Sequence, residues 1–168
     1  MKTLVITGGS SGIGKETAEL FAARGYAVYA LSRSGGKSDA VVHLHADVTD
    51  ESSLASAFSR IAQERGGIDV LINNAGFGIS GATELTPPAE ARAQFDVNFF
   101  GTFLVIRQAL PLLRKAKGRI INISSAAALF SIPYQAFYSA SKSAVNALTL
   151  ALRNEVKAFG VTVCAAMP

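Results

Sequence analysis

The stretch TLVITGGSSGIG (residues 3–14) decides the fold. An apolar strand-like run leads into a glycine-rich turn, and a helical pattern follows directly. Strand, turn and helix N-terminus in this order can hold an anion, because the first N–H groups of a helix are unpaired and lie at its positive end. The spacing G-x-x-x-G-x-G departs from the G-x-G-x-x-G of the standard dinucleotide fingerprint, so the turn alone is a weak indication.

The same strand–helix alternation continues along the chain. Five more strand-like runs follow, AVYALS, VVHLHA, IDVLIN, GRIINIS and VTVCAA, and helical patterns separate most of them. Their apolar runs are continuous, as expected for parallel strands covered by helices on both faces. We therefore predict one α/β domain over residues 1–168, a three-layer Rossmann-like doubly wound parallel sheet with strand order 3-2-1-4-5-6.

Helical periodicity predicts four helices, at residues 13–24, 51–65, 88–115 and 134–159. Asn98 and Pro111 are candidate positions for a break or kink in the third. The last two helices are apolar on more than one face, which favours a homo-oligomer formed through them, although a buried helix in a large core would give the same pattern.

Composition excludes several classes of protein. With 49% hydrophobic and 17% charged residues the chain is not disordered, and no apolar run reaches the ~20 residues of a membrane span. The first strand starts at the third residue with no signal segment ahead of it, so a soluble, cytoplasmic protein is expected. A single cysteine excludes a disulfide framework, and His43 and His45 lack a third ligand, so no metal site is predicted.

The net charge of +4 favours an anionic partner. The basic residues are scattered and accompany no nucleic-acid-binding module, so a phosphorylated small ligand fits better than nucleic acid.

The glycine-rich turn after the first strand fits such a ligand. Gly8 permits the tight bend, Gly12 lets the backbone approach a diphosphate, and Gly14 allows the helix to pack closely on the strand.

Arg33 is the candidate for choosing between the two nicotinamide cofactors. A carboxylate about 20 residues beyond the first glycine binds the ribose 2′-hydroxyl of NAD, whereas an arginine accommodates the 2′-phosphate of NADP. Arg33 stands at that place, flanked by two serines, with no acidic residue between Glu19 and Asp39. NADP(H) is therefore predicted over NAD(H). There are two alternatives. Arg33 is only a solvated charge at the end of a strand, or Lys15 or Lys37 binds the 2′-phosphate.

The third strand ends in HADVTD, which allows two interpretations of Asp47. Its carboxylate is placed to receive the amino group of an adenine, with Val48 against the ring. Alternatively, Asp47 belongs with Asp50 to the signal that begins the next helix, and Asp50 is the better candidate for the cap.

Polar residues follow the fourth and fifth strands, in NNAG (residues 73–76) and NISS (residues 122–125). Both endings fall at the carboxyl edge of the sheet, where ligands bind in such folds. Downstream, Tyr138 and Lys142 in YSASK share one helix face. A phenol is a poor proton shuttle at neutral pH, and a nearby ammonium stabilises its anion. By itself such a pair is commonplace.

The chain resembles the short-chain dehydrogenase/reductase family of the TGxxxGxG and YxxxK type from residue 3 to residue 168. The resemblance rests on TGGSSGIG, NNAG, Asn98, a strand ending in two serines, and YSASK, taken together. The resemblance implies that Tyr138 transfers the substrate proton. It further implies that Lys142 holds the nicotinamide ribose and assists the tyrosine, and that Ser125 polarises the carbonyl. Asn98 would lie at a helix break whose backbone binds a water linked to Lys142.

The expected catalytic residues are thus Asn98, Ser125, Tyr138 and Lys142. The expected cofactor-binding residues are Gly8, Ser10, Ser11, Gly12, Ile13, Gly14, Arg33, Asp47, Val48, Asn74, Ala75, Gly76, Tyr138 and Lys142. Asn74 and its neighbours would stabilise the sheet and line the cofactor groove.

Within the family, the chain looks most like the hydroxysteroid and retinol dehydrogenase-like members, which suggests an apolar carbonyl or alcohol substrate. Family members normally continue with a substrate-covering segment and a seventh strand, so the chain is interpreted as truncated at the C-terminus. An inactive or non-enzymatic NADP(H)-binding module is the alternative to an oxidoreductase.

Overall fold

The computed structural model describes residues 1–36 and 38–168. Lys37, an alternative partner for a phosphate, lies outside the described residues. The sheet contains the strands β1 (Thr3–Thr7), β2 (Ala27–Ser32), β3 (Val42–His45), β4 (Val70–Asn73), β5 (Arg119–Ile123) and β6 (Thr162–Ala166). All neighbours pair in parallel in the order β3-β2-β1-β4-β5-β6, which confirms the predicted topology.

Helices cover both faces of the sheet. The α-helices are α1 (Gly12–Ala23), α2 (Glu51–Arg65), α3 (Pro88–Phe95), α4 (Thr102–Ala116) and α5 (Ala136–Glu155). Short 3₁₀ turns occupy Thr83–Leu85, Ala126–Ala128 and Lys157–Phe159. Within β1, Val5 faces the core shared with α2, α4 and α5, whereas Leu4 and Ile6 face the core under α1. Burial on both sides explains the continuous apolar run in its sequence.

The local sequence sets α2 most clearly. Asp50 accepts hydrogen bonds from the N–H groups of Ser52 and Ser53, so it is the cap that the sequence favoured. Gly66 ends the helix with φ 73°. The observed bounds, Glu51–Arg65, are the predicted ones.

The two apolar helical regions differ in detail from the prediction. Residues 88–116 are interrupted by a π-helical segment, Asp96–Gly101, which contains the predicted break at Asn98. No interruption occurs at Pro111, which lies on the exposed face together with Arg107, so water can satisfy the carbonyl group that a proline leaves unpaired. Helix α5 begins at Ala136, two residues later than predicted, because Tyr134 has φ 65°.

No helix among residues 1–36 and 38–168 is both long enough and apolar enough to cross a membrane.

Candidate active site

A cleft of about 1190 Å³ opens at the carboxyl edge of the sheet. Its walls come from the turn after β1, the ends of β2, β3, β4 and β5, and the start of α5. The predicted residues that line it are Gly8, Ser10, Ser11, Ile13, Arg33, Asp47, Val48, Asn74, Ala75, Gly76, Ser125, Tyr138 and Lys142. Parallel strands bring these residues to one edge although the sequence spreads them over most of the chain.

Three predicted residues are not among those that line the cleft: Gly12, which is exposed at the start of α1, and Gly14 and Asn98, which are buried. A Cβ at Gly14 would lie 2.3 Å from Gly8 O and 2.5 Å from Asn74 Nδ2. Asn74 Nδ2 also donates to Thr7 O (3.0 Å) and Gly8 O (3.3 Å). The helix, the turn and the end of β4 therefore meet at van der Waals distance through a position that tolerates only glycine.

Asp47 does not begin the helix that follows it. Its Oδ1 accepts from the backbone N–H of Thr49 (2.9 Å) and from the Thr49 hydroxyl (2.7 Å). These hydrogen bonds, with a smaller contribution from the charge of Arg33, hold the pKa of Asp47 below its ordinary value. Asp47 stays an anion at the cleft wall, and Asp50 supplies the cap.

Lys142 is the buried cation of the site, with 5% of its surface exposed. Its Nζ donates to Ile123 O at 2.7 Å and lies 5.8 Å from the centroid of the Tyr138 ring. Burial lowers the pKa of Lys142 from 10.5 to about 8. The half-buried Tyr138 lies one helical turn earlier on the same face of α5, so both side chains face the cleft.

Ser125 lies where β5 gives way to the 3₁₀ turn. Its Oγ accepts a hydrogen bond from Ala127 N at 3.2 Å, which leaves the hydroxyl proton available to a ligand in the cleft.

Asn98 is fixed by the π-helical segment and is almost fully buried. Its side chain pairs with both backbone groups of Phe77: Oδ1 accepts from Phe77 N (3.0 Å) and Nδ2 donates to Phe77 O (2.9 Å). Nδ2 also donates to Ser141 Oγ at 3.1 Å. Asn98 therefore joins the loop after β4 to helix α5.

Sequence reasoning missed several lining residues, among them Phe77, Gly78, Ser80, Val97, Ser124 and Gln135. Phe77 and Gly78 continue the NNAG ending directly, so their place was available from the sequence. Ser80 and Gln135 are 55 residues apart and meet through a Gln135 Nε2 to Ser80 Oγ hydrogen bond of 3.3 Å. No local pattern signals that contact.

Burial of Lys142 leads to a prediction about stability. The pKa is lower in the folded protein than in the unfolded chain, so the unfolded chain binds more protons between about pH 8 and 10.5, and stability rises with pH in that window. Lys142→Met removes this dependence. The measurement is the free energy of unfolding in urea of Lys142→Met minus that of wild type. This difference should be about 2 kcal/mol more positive at pH 7 than at pH 10, because the buried ammonium destabilises only the wild type and only at the lower pH.

The exposed Lys115→Met provides the control and should show no such change. An equal difference between wild type and Lys142→Met at both pH values would mean that Lys142 is not destabilised by burial.

Comparison with known proteins agrees with this geometry. A curated relative, 3-ketodihydrosphingosine reductase of Bacteroides thetaiotaomicron, is 46% identical over 98% of this chain. The chain spans 62% of that relative's length. Two solved structures each cover 99% of the chain: ElxO with NADP bound (TM-score 0.93, 31% identity, 73% of its own chain), and a 3-ketoacyl-(acyl-carrier-protein) reductase from Brucella melitensis complexed with NADH (TM-score 0.94, 30% identity, 75% of its own chain).

The family model for short chain dehydrogenases matches residues 2–168. With the sheet order, the cleft and the relatives in agreement, the chain belongs to the short chain dehydrogenase family.

Proposed function

We propose that the protein is an oxidoreductase that transfers a hydride between NADP(H) and the carbonyl or alcohol group of an apolar small molecule. The observation that carries the proposal is the convergence of Tyr138, Lys142 and Ser125 on one cleft whose other end is the N-terminus of α1. Solved relatives that hold NADP or NADH support a nicotinamide dinucleotide as the cofactor.

The residues present fit such a cofactor. The side chain of Ser11, which precedes α1, makes no hydrogen bond to the helix. The first turn of α1 contains no acidic residue. The first N–H groups of α1 are therefore available to a diphosphate, and no carboxylate opposes it. Gly14 brings the helix against the turn, while Asp47 and Val48 offer an acceptor and an apolar surface for an adenine. Asn74, Ala75 and Gly76 line the middle of the groove.

The chain's own residues move the proton. When bound, the cofactor supplies or accepts the hydride. The Tyr138 hydroxyl donates a proton to the substrate oxygen during reduction and takes it back during oxidation. The Lys142 ammonium lies close to the Tyr138 ring and stabilises negative charge on the Tyr138 oxygen. The Ser125 hydroxyl donates a hydrogen bond to the carbonyl oxygen of the substrate. Asn98 holds the loop that faces them.

Apolar side chains near the reacting end favour an apolar substrate. Phe77 lines the cleft, and Leu129 and Phe130, both largely exposed, follow the turn that Ser125 begins. The name of the curated relative denotes reduction of a ketone on a lipid-like molecule. The test is steady-state consumption of NADPH with a panel of ketones of increasing apolar chain length. Cofactor binding without turnover of any of them would favour the non-enzymatic alternative.

Arg33 carries the proposed preference for NADP(H). Its exposed guanidinium lies at the cleft wall beside Ser34, whose hydroxyl donates to Ser10 Oγ at 3.2 Å. Arg33→Ala should weaken NADPH binding roughly ten- to hundredfold and leave NADH binding within a factor of about three, because a charge-assisted hydrogen bond contributes about 1.5–3 kcal/mol. Fluorescence titration of each reduced cofactor measures both constants.

Lys15→Ala is the matched control for the Arg33 experiment. Lys15 already lies 3.9 Å from Glu19 in an exposed ion pair, so its removal should change neither constant appreciably. If Lys15→Ala abolishes the preference and Arg33→Ala does not, the phosphate is held by the first helix instead.

Homo-oligomerisation and a cytoplasmic location stay predictions. Phe103 on α4 and Leu150 on α5 are exposed, which supports a second copy of the chain against the two long helices.

A further inference from the structure

Gln94 is a buried polar side chain that the proposed chemistry does not use. It lies on α3, is 0% exposed, and donates from Nε2 to Phe77 O at 3.0 Å. Its Oε1 is buried and has no hydrogen-bond partner among the described residues. Burying a half-satisfied amide costs free energy that an apolar residue of the same size would not. Among the described residues, the hydrogen bond from Nε2 to Phe77 O is the polar contact that this buried side chain makes.

That donor acts at a point where two buried amides converge. Phe77 O accepts from Gln94 Nε2 and from Asn98 Nδ2, and Phe77 N donates to Asn98 Oδ1. Both backbone polar groups of the exposed residue Phe77 are thus held by buried amides, and both lone pairs of its carbonyl oxygen are used. Gln94 and Asn98 are four residues apart, so the end of α3 and the π-helical segment present them side by side.

The two residues that flank Phe77 lie against Tyr138 and Lys142. A Cβ on Gly78 would lie 3.3 Å from Tyr138 Cδ2, so the backbone after Phe77 rests against the tyrosine ring. A Cβ on Gly76 would lie 3.6 Å from Lys142 Nζ, so the backbone before Phe77 rests beside the ammonium. From the opposite side, Asn98 bonds Ser141 Oγ, which donates to Tyr138 O at 2.8 Å. A shift of Phe77 would therefore be transmitted to the Tyr138 ring and to the Lys142 ammonium.

We propose that Gln94 is a positioning residue: its hydrogen bond to Phe77 O holds the segment 76–78 against Tyr138 and Lys142. The role rests on the proposed function, because Gln94 touches neither substrate nor cofactor and acts through the loop. The amide orientation is fixed by its acceptor, since a carbonyl can receive a hydrogen bond only from the NH₂ end.

The first test does not depend on turnover. Gln94→Met keeps an unbranched side chain of similar size and removes the donor. Hydrogen exchange measured by mass spectrometry on the cofactor-free protein should become roughly tenfold faster for the segment 76–78 and stay unchanged in β1. Gln63→Met, at an exposed position of α2, is the matched control and should leave both segments unchanged.

The second test separates positioning from folding. If Tyr138 is misplaced by the loosened loop, kcat should fall roughly ten- to hundredfold in Gln94→Met, with the NADPH dissociation constant within a factor of about three. Gln94→Glu adds a pH signature: the buried carboxylate repels Phe77 O, whereas its protonated form can donate. Its kcat relative to wild type should therefore recover as the pH is lowered.

Each outcome is decisive. Wild-type exchange in the segment 76–78 overturns the inference whether or not the protein turns over a ketone. Faster exchange with wild-type kcat means that Gln94 is structural only. Faster exchange in a protein with no turnover of any substrate supports the loop contact and rejects the proposed function, so the two failures remain distinguishable.

Discussion

Tyr138→Phe should lower kcat roughly 10²- to 10⁴-fold, the range of a lost general acid–base group, while leaving NADPH binding within a factor of about two. The substitution removes only the hydroxyl that would transfer the substrate proton. The ring still packs against Gly78 and near Lys142 Nζ, so the site keeps its shape. The measurement is the steady-state rate of NADPH consumption with the best ketone, together with a cofactor titration.

Tyr26→Phe provides the control for this experiment. Tyr26 packs edge-on against Phe21 at the far end of α1 and does not line the cleft, so its hydroxyl should be dispensable for turnover. Full activity in Tyr138→Phe would mean that Tyr138 is not the proton donor. Ser125, which also lines the cleft, would then be the next candidate.

The second large effect is expected for Gly14→Ala. The added methyl would meet the backbone oxygen of Gly8 at 2.3 Å and Asn74 Nδ2 at 2.5 Å, and neither is the flexible end of a side chain with room to move. Helix α1 must therefore separate from the turn, at a cost of about 3 kcal/mol or more in the free energy of unfolding. The cofactor cradle would open at the same time, so NADPH affinity should fall with it.

Gly12→Ala is the informative comparison, measured by urea unfolding beside Gly14→Ala. A Cβ at Gly12 meets nothing within 4 Å, but its φ of 50° is disfavoured for alanine, at a cost of about 1 kcal/mol. The order of destabilisation should thus be Gly14→Ala above Gly12→Ala. A Gly14→Ala protein within about 1 kcal/mol of wild type would contradict the close packing that the structure shows.

Patterns that lie within a few residues of one another were enough for the fold. Largely apolar runs predicted six parallel strands, because a strand covered on both faces of the sheet is apolar on both sides; the edge strand β3 departs from this, since only its Leu44 is buried. The bounds of α2 followed from Asp50 and Gly66, whose cap geometries depend on the adjacent backbone alone. The start of α5 could not be predicted in this way, since the positive φ of Tyr134 accompanies a hydrogen bond from the distant Gly81 N to Tyr134 O.

The candidate site, like the fold, has features that the local sequence predicts and features that depend on contacts between distant residues. The sequence by itself determined which chemical groups exist, in what order, and that Ser125 follows a strand that ends at the carboxyl edge of the sheet; the place of Tyr138 and Lys142 beside it was implied by the family resemblance. Only the tertiary structure decided how they are held, through the contact of Gly78 with Tyr138 and the bonds of Gln94 and Asn98 to Phe77. The reason is physical: helix and strand periods act over a few residues, whereas these hydrogen bonds join groups 17 and 21 residues apart and exist only once α3 and the π-helical segment have packed beneath the loop.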